Sequence, residues 1–376
     1  MNRNFKIVGS LILAICIIVI LFLGFINPRK AIENIHQPTK KGLCWVAGDS
    51  IAKHNLDHIQ AINANYISQT PFGWMDGHDS PKVVLNNNRA WWGETDKGIR
   101  HTAKLAKEAG VKSMLKPHIW LRRSGDKWRS DIAMNSKEEW TQWFESYSTF
   151  ILHYAKLAES CQIESLCIGT ELYQTTKQYP KEWRKIIRAI REVYNGELTY
   201  AANWYLEYEE LSFWGDLDYI GIQAYFPLSD KEYPSRKSMI EGWESHIKAM
   251  KKLASKFNKQ IVFTEIGYKN TVDSAKEPWT WPQDMDTTTV ISEQMQMDCY
   301  AALFESVWHE PWFDGLFIWK WFHSTHAFED YAEYAEMRIK RRAEWAKKRK
   351  RRYRPDVRFT PQGGEAMGVI SEWYGE

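Results

Sequence analysis

The chain has 376 residues, a net charge of +3 and 44% hydrophobic residues, which is enough for a sizeable core in one large domain or two ordinary ones. Its five cysteines show no CxxC pair and no metal-ligand spacing, so we interpret them as small core residues. This excludes a disulfide framework but leaves room for a single disulfide. The 20 Trp, 18 Tyr and 16 Phe belong mostly in a core, although the excess of Trp also suits flat platforms that stack against sugar rings.

An apolar run, Ile7–Ile26, lies near the N-terminus and is long enough to cross a bilayer as one helix. Arg3 and Lys6 precede it, and no Ala-x-Ala cleavage site follows it. Residues 1–27 are therefore predicted to be a transmembrane signal anchor, and residues 28–41 a polar tether. The body is then expected on the extracytoplasmic side, at the cell surface or in the periplasm. Secretion after signal cleavage is the alternative.

From Gly42 onward, short apolar runs alternate with helical patterns. The candidate strands are Gly42–Ala47, Ala64–Gln69, Lys112–Pro117, Ser165–Gly169, Leu198–Asn203, Tyr219–Ala224, Ile261–Ile266 and Gly315–Trp319. The candidate helices are Thr95–Ala109, Ser136–Ser160, Pro180–Tyr194, Ser238–Phe257, Thr287–Trp308 and Gly364–Tyr374. Eight such alternations predict an α/β fold, a single (β/α)8 TIM barrel over residues 42–376. An open doubly wound sheet is the alternative, and the lack of a Gly-rich loop after the first strand disfavours it.

Two of the predicted strands end in a glutamate. Glu171 follows the fourth strand and Glu265 lies at the end of the seventh. Chemistry in such barrels collects at the C-terminal ends of strands. A single glutamate there is compatible with a structural ion pair, but two of them suggest a pair directed into one cavity. Paired carboxyls can perform acid/base and nucleophilic chemistry without a metal or cofactor, and neither is expected here.

This ordered pair resembles clan A of the glycoside hydrolases. Within the clan, the segments most similar to glycoside hydrolase family 113 are Gly169-Thr-Glu171-Leu, Thr264-Glu265-Ile-Gly, Gln69-Thr-Pro-Phe-Gly-Trp74 and Phe359-Thr-Pro-Gln-Gly363. The resemblance covers about Gly42 to Tyr374. It implies a β-mannanase type of activity, in which Glu171 is the general acid/base and Glu265 the nucleophile of a retaining mechanism.

The resemblance also implies substrate-binding residues. Tyr225 matches a tyrosine that hydrogen-bonds the nucleophile, and Trp319 or Trp321 matches a tryptophan under the sugar at the cleavage point. Three further residues stand where sugar hydroxyls are usually bound: Lys116, His118 and Asn203. The chain departs from the clan at Thr170, where many members have Asn, and at Gln223, where many have His. Both departures leave the sugar specificity open.

Residues 338–354 contain eleven Lys or Arg and one Glu, a local charge of +10 that leaves −7 for the rest of the chain. The sequence predicts a basic helical insertion at about 327–356. It is either a solvated helix or a contact for anionic lipid or an acidic polymer. Nucleic acid is not expected, because no recognised nucleic-acid module accompanies the charge.

The prediction is therefore a retaining glycoside hydrolase that cleaves β-linked glycans, foremost β-1,4-mannan or mannose-containing oligosaccharides. Another clan A specificity, such as β-glucosidase or β-mannosidase, and a non-catalytic glycan-binding barrel are the alternatives. The expected partners are an oligo- or polysaccharide substrate and, through the N-terminal helix, a membrane.

Overall fold

Eight parallel strands close a barrel in a computed structural model that describes residues 36–46, 48, 50–85, 90–281, 288–323, 340, 343–344, 347–348 and 356–376. The barrel strands are β1 (Lys40–Val46), β2 (Tyr66–Gln69), β5 (Lys112–Leu115), β7 (Ser165–Thr170), β8 (Glu197–Asn203), β9 (Ile220–Gln223), β10 (Ile261–Ile266) and β11 (Phe313–Phe322). Each strand pairs with its neighbour in the chain, and β11 pairs in parallel with β1. The predicted eight-strand barrel is confirmed, and the open sheet is excluded.

The strands form where apolar runs are buried on both faces. Every residue of β7 and of β10 is buried, as expected for parallel strands between a barrel interior and surrounding helices. A separate interior cluster takes one residue from each barrel strand or its edge: Cys44, Tyr66, Met114, Cys167, Ala201, Tyr219, Val262 and Phe317. The interior is therefore a packed core, and chemistry is confined to the strand ends.

β1 begins at Lys40, two residues before the predicted start. The buried Lys40 ammonium lies 2.8 Å from Asp314 Oδ2 at the start of β11. This ion pair lies at the N-terminal ends of the strands, the end opposite to the two glutamates. Because its charge is paired with Asp314, Lys40 can be buried as the first residue of the strand.

Helices cover the outside of the barrel, mostly where the sequence predicts them. The α-helices are Asp57–Ala61, Asp96–Glu108, Lys137–Cys161, Tyr173–Gln178, Pro180–Arg191, Glu207–Glu210, Arg236–Phe257, Glu293–Val307 and Glu365–Gly375. Short 3-10 helices cover Lys53–Leu56, Trp92–Glu94, Arg129–Asp131 and Trp214–Asp216. The helix predicted from Thr287 starts instead at Glu293, because the Ser292 side chain caps it by accepting from the Met295 amide.

A small second sheet, absent from the sequence predictions, lies beside the barrel. It consists of β3 (Phe72–Met75), β4 (Val84–Leu85) and β6 (His118–Leu121), in the order β4-β3-β6. β3 follows β2 and β6 follows β5 after only two residues each. The sheet therefore extends from the C-terminal ends of two barrel strands and carries Trp74 and Trp120 at that edge.

The chain after the basic segment returns to the barrel. Gln362 accepts a hydrogen bond from the Phe322 amide (2.6 Å) and donates one to the Phe322 carbonyl (2.8 Å). The predicted anchor and nearly all of the basic insertion lie outside the described residues. Among the helices that the structure describes, none combines the length and apolar character needed to span a membrane.

Candidate active site

The two predicted catalytic glutamates lie at the C-terminal ends of β7 and β10. Glu171 follows β7 directly, and its amide donates to the Ala201 carbonyl on β8 at 2.9 Å. Its backbone is left-handed, with φ of 53°. Glu265 is the fifth residue of β10. Both side chains are buried, with exposed fractions of 8% for Glu171 and 6% for Glu265. Burying a carboxyl without partners is costly, so their surroundings decide their protonation.

Glu265 is surrounded by hydrogen-bond donors. Its Oε2 accepts from Lys116 Nζ at 2.9 Å and from Gln223 Nε2 at 2.8 Å, and its Oε1 accepts from the Tyr225 hydroxyl at 2.5 Å. Burial opposes ionisation, but the Lys116 ammonium and these hydrogen bonds together lower the pKa of Glu265 below its ordinary value. The carboxylate is therefore ionised at neutral pH.

Glu171 has the opposite electrostatic character. Trp128 Nε1 donates to its Oε2 at 2.8 Å, and Arg129 Nε lies 3.6 Å from the same oxygen. Burial raises the pKa of Glu171 above its ordinary value, although Arg129 and the Trp128 hydrogen bond act in the other direction. The negative charge of Glu265 adds to the increase. Two neighbouring carboxyls thus differ in how readily they hold a proton.

Lys116, predicted to bind a sugar hydroxyl, is fully buried behind Glu265. Its ammonium also donates to the Thr264 carbonyl at 2.9 Å and lies 3.4 Å from Gln223 Oε1. Burial lowers the pKa of Lys116, but the charge of Glu265 outweighs this and raises it. These three acceptors match the three protons of the ammonium. Sugar binding by Lys116 stays a prediction, whereas its ion pair with Glu265 is a direct structural feature.

His118, also a predicted sugar ligand, holds Arg129. Arg129 Nη1 lies 2.8 Å from His118 Nδ1, and because guanidinium can only donate, that nitrogen accepts. Burial, together with the charges of Arg129 and Lys116, keeps the pKa of His118 well below its usual range. The ring is therefore neutral and carries its proton on Nε2, which has no protein partner among the described residues. Direct contact with a sugar stays a prediction.

The remaining predicted residues occupy different depths. Trp319 is half-buried, with Lys116 Nζ 6.0 Å from its ring centroid, whereas Trp321 is fully buried in the core outside the barrel. Trp319 is thus the better placed of the two to meet a ligand. Asn203 is half-buried, and its Oδ1 accepts from the Tyr205 amide at 3.0 Å. Thr170, where the clan often has Asn, is buried.

Several residues around the site were missed by sequence reasoning. Trp128 lies in the loop that follows β6, and Arg129 begins the 3-10 helix after it. No strand end or periodic pattern marks either residue. Gln223 was noted only as a departure from His, yet its amide donates to Glu265. Aromatic side chains form two further groups on the rim. One comprises Trp74, Trp120 and Trp128, and the other consists of two separate pairs, Trp204 with Trp279 and Trp281 with Trp319.

One member of each group lies next to the carboxyl pair, Trp128 beside Glu171 and Trp319 beside Lys116. In the first, the rings of Trp120 and Trp128 are 6.1 Å apart, and Trp128 contacts Glu171. In the second, Trp281 lies 6.5 Å from Trp319. Trp204 and Trp279 stack at 5.0 Å, and Trp279 is 41% exposed. Within the part of the chain that the structure describes, no group of three or more His, Cys, Asp or Glu side chains is arranged to hold a metal ion.

A closed eight-strand barrel with a buried carboxyl pair at its C-terminal end, bordered by aromatic rings, is the architecture of a carbohydrate-cleaving barrel enzyme. The sequence profile of Glycoside Hydrolase Family 113 matches residues 45–340, and the chain belongs to that family. It is a glycoside hydrolase. The family resemblance predicted from the strand-end motifs is confirmed. No curated protein matches the chain significantly.

Solved structures of that family share the fold. A complex of a GH113 β-1,4-mannanase is 24% identical, with 90% of this chain and 99% of that chain covered and a TM-score of 0.70. The β-mannanase AaManA from Alicyclobacillus acidocaldarius, in complex with ManMIm, is 22% identical over 91% and 98% of the two chains, with a TM-score of 0.71. A further GH113 β-1,4-mannanase is 25% identical over 91% and 100%, with a TM-score of 0.69.

Proposed function

We propose that this glycoside hydrolase cleaves β-1,4-mannan with retention of anomeric configuration, with Glu265 as nucleophile and Glu171 as general acid/base. One observation carries the proposal: two buried carboxyls at strand ends have different partners, Glu265 the Lys116 ammonium at 2.9 Å and Glu171 the Trp128 Nε1 at 2.8 Å. Their pKa values accordingly shift in opposite directions, downward for Glu265 and upward for the buried Glu171. A retaining hydrolase needs one ionised and one protonated carboxyl, about 5–5.5 Å apart. The mannan specificity is supported by family membership and by the related β-1,4-mannanases.

In the first step, Glu265 attacks the anomeric carbon and forms a glycosyl ester, while the bond to the leaving oxygen breaks. The proton of Glu171 passes to that oxygen. In the second step, Glu171 removes a proton from water, the water oxygen attacks the same carbon, and Glu265 leaves as carboxylate. Tyr225 and Lys116 both stabilise the negative charge of Glu265. That charge is lost in the ester and regained on its hydrolysis.

The aromatic groups support a substrate longer than a single sugar. The Trp74, Trp120 and Trp128 group follows the second and third barrel strands. In the other group, Trp204, Trp279 and Trp281 lie after the fifth and seventh strands, and Trp319 lies on the eighth. Rings of this kind stack on sugar faces. We assign Trp319 to the sugar at the cleavage point, because its ring lies beside the Lys116–Glu265 pair. Asn203 has an amide nitrogen without a protein partner among the described residues, and it suits a sugar hydroxyl.

The variants Glu171→Ala and Glu265→Ala test the roles on mannan and on an aryl β-mannoside. Each is expected to lose most hydrolysis while the barrel stays folded. With azide as added nucleophile, Glu171→Ala should yield a β-mannosyl azide and Glu265→Ala an α-mannosyl azide, because attack comes from opposite faces. Glu197→Ala, at the far end of β8, is the matched control and should retain activity.

The first anomer formed from a manno-oligosaccharide, followed by NMR, tests the retaining mechanism. An inverted anomer rejects Glu265 as nucleophile, and full activity in both glutamate variants rejects the site. A product profile across mannan, glucomannan and gluco-oligosaccharides tests the substrate. Preference for gluco-oligosaccharides, or release of single sugars only, would favour the β-glucosidase or β-mannosidase alternatives.

We further propose that the body is held at the extracytoplasmic face of a membrane by residues 1–27. The support is the 20-residue apolar run Ile7–Ile26 with its flanking charges. Membrane fractionation of the full chain against a chain of residues 37–376 tests it. Equal recovery of both in the soluble fraction would overturn it. Binding of residues 37–376 to anionic but not neutral vesicles would assign lipid contact to the basic segment 338–354.

A further inference from the structure

A third buried glutamate lies close to the catalytic pair. Glu207 begins a short helix after β8 and is 1% exposed. Its Oε2 accepts from the backbone amide of Asn203 at 2.9 Å. Its Oε1 accepts from the Tyr200 hydroxyl at 2.7 Å and from Thr176 Oγ1 at 3.1 Å. Three donors, two on β8 and one on the helix Tyr173–Gln178, therefore converge on one carboxylate.

One of these donors connects Glu207 to the turn that carries Glu171. The Tyr200 hydroxyl donates its proton to Glu207 and accepts from the Leu172 amide at 2.6 Å. Leu172 follows Glu171 directly, and the Glu171 amide is itself bonded to Ala201. Two consecutive amides of the turn are thus tied to β8, one to its backbone and one through Tyr200 to Glu207.

The turn needs such support. A non-glycine residue with φ of 53° adopts a conformation that costs about 1 kcal/mol or more and persists where the surroundings enforce it. The contact between β7 and Tyr200 is also close. A Cβ on Gly169 would lie 2.7 Å from the Tyr200 ring. Glycine at this position of the Gly-Thr-Glu motif lets the tyrosine reach Leu172.

We propose that Glu207 is a positioning residue that fixes the acid/base Glu171, through Tyr200 and Leu172, and fixes Asn203 directly. This inference rests on the proposed role of Glu171. Glu207 contacts no reacting atom. Its two carboxylate oxygens accept from three donors. In Glu207→Gln an NH2 group replaces one oxygen, so a donor would face at least one of those three donors.

The charge of Glu207 also affects Glu171. Burial raises the pKa of Glu207 to about 7, and the charge of Glu171 adds to the increase. The interaction is mutual, so an ionised Glu207 makes Glu171 hold its proton more tightly. Other titratable groups nearby are Tyr200 on β8, Arg129 at 3.6 Å from Glu171, and the exposed pair Lys177–Glu210, 3.1 Å apart.

The variants Glu207→Gln and Tyr200→Phe test the proposal. Misplacing a catalytic group by about 1 Å can cost about 100-fold, so we expect kcat to fall about 10- to 100-fold with little change in KM. The loss should be larger for substrates with poor leaving groups, which need the acid. In Glu207→Gln the basic limb of kcat/KM against pH should also move to lower pH, because a negative charge near Glu171 is gone.

Tyr147→Phe is the matched control, since the buried Tyr147 hydroxyl donates at 2.8 Å to the carbonyl of Ile168 on β7, the strand that precedes Glu171. It should leave the basic limb and the leaving-group dependence unchanged. Wild-type kcat and an unmoved basic limb in folded Glu207→Gln would overturn the proposal. If Glu207→Gln fails to fold, a wild-type kcat in Tyr200→Phe would overturn the proposal. Activity retained in Glu171→Ala would instead reject the proposed function.

Discussion

Replacing Lys116 with methionine should make Glu265 a weaker acid without removing it. Lys116 is fully buried and its ammonium lies 2.9 Å from Glu265 Oε2. At an effective dielectric constant of about 20, the Coulomb attraction at this distance is about 6 kcal/mol. Desolvation offsets part of it, and removing one partner of such a pair typically costs about 3–5 kcal/mol. Lys116→Met should therefore unfold more easily by about that amount and keep its nucleophile protonated to higher pH.

The assay is kcat/KM for an aryl β-mannoside across pH, with thermal unfolding of the same samples. The acid limb, which reports on ionised Glu265, should move to higher pH, because the group that lowers the pKa of Glu265 is gone. Lys40→Met is the control. It breaks a buried pair of similar length, Lys40–Asp314, at the other end of the barrel. It should lose comparable stability with an unmoved acid limb. An unmoved acid limb in folded Lys116→Met, or equal movement in both variants, would refute the reasoning.

Three further predictions concern the same network. Tyr225→Phe removes the 2.5 Å donor to Glu265 and should move the acid limb of kcat/KM to higher pH, by less than Lys116→Met; an equal or larger movement would contradict it. Trp128→Phe removes a hydrogen bond that lowers the pKa of Glu171, so the basic limb should move to higher pH, opposite to Glu207→Gln. Glu207 has a pKa of about 7 in the folded protein against about 4.5 unfolded, so its contribution to stability is full below pH 4.5 and is lost as pH rises through 7. Relative to Glu207→Gln, the wild type should therefore lose about 3 kcal/mol of unfolding free energy between pH 4.5 and 8, measured by urea titration; parallel pH dependence of the two proteins would contradict this.

The barrel could be predicted from the sequence because its strands are short apolar runs whose burial leaves a local signature. The pair of buried glutamates could be predicted for the same reason, since Glu171 and Glu265 interrupt such runs at their ends. The accessory sheet was missed because strands of two to four residues, such as Val84–Leu85, carry too little pattern.

The residues that surround the glutamates could not be predicted in the same way. Glu207, Glu209 and Glu210 look alike in sequence, and only the return of the chain against Tyr200 buries the first of them. The sequence predicts Lys116 as a ligand of a sugar hydroxyl, and only tertiary contact shows its ammonium held by Glu265, Thr264 and Gln223. Trp128 reaches Glu171 from 43 residues away in the chain, through a loop without periodicity.

The paired hydrogen bonds between Phe322 and Gln362 join the chain across residues 324–355. They connect a residue before this segment directly to a residue after it, so the connection does not depend on the sequence of residues 324–355. A chain segment whose two ends are held together can in general change in length at a small entropic cost. We therefore expect the barrel to tolerate changes in the length and charge of residues 324–355.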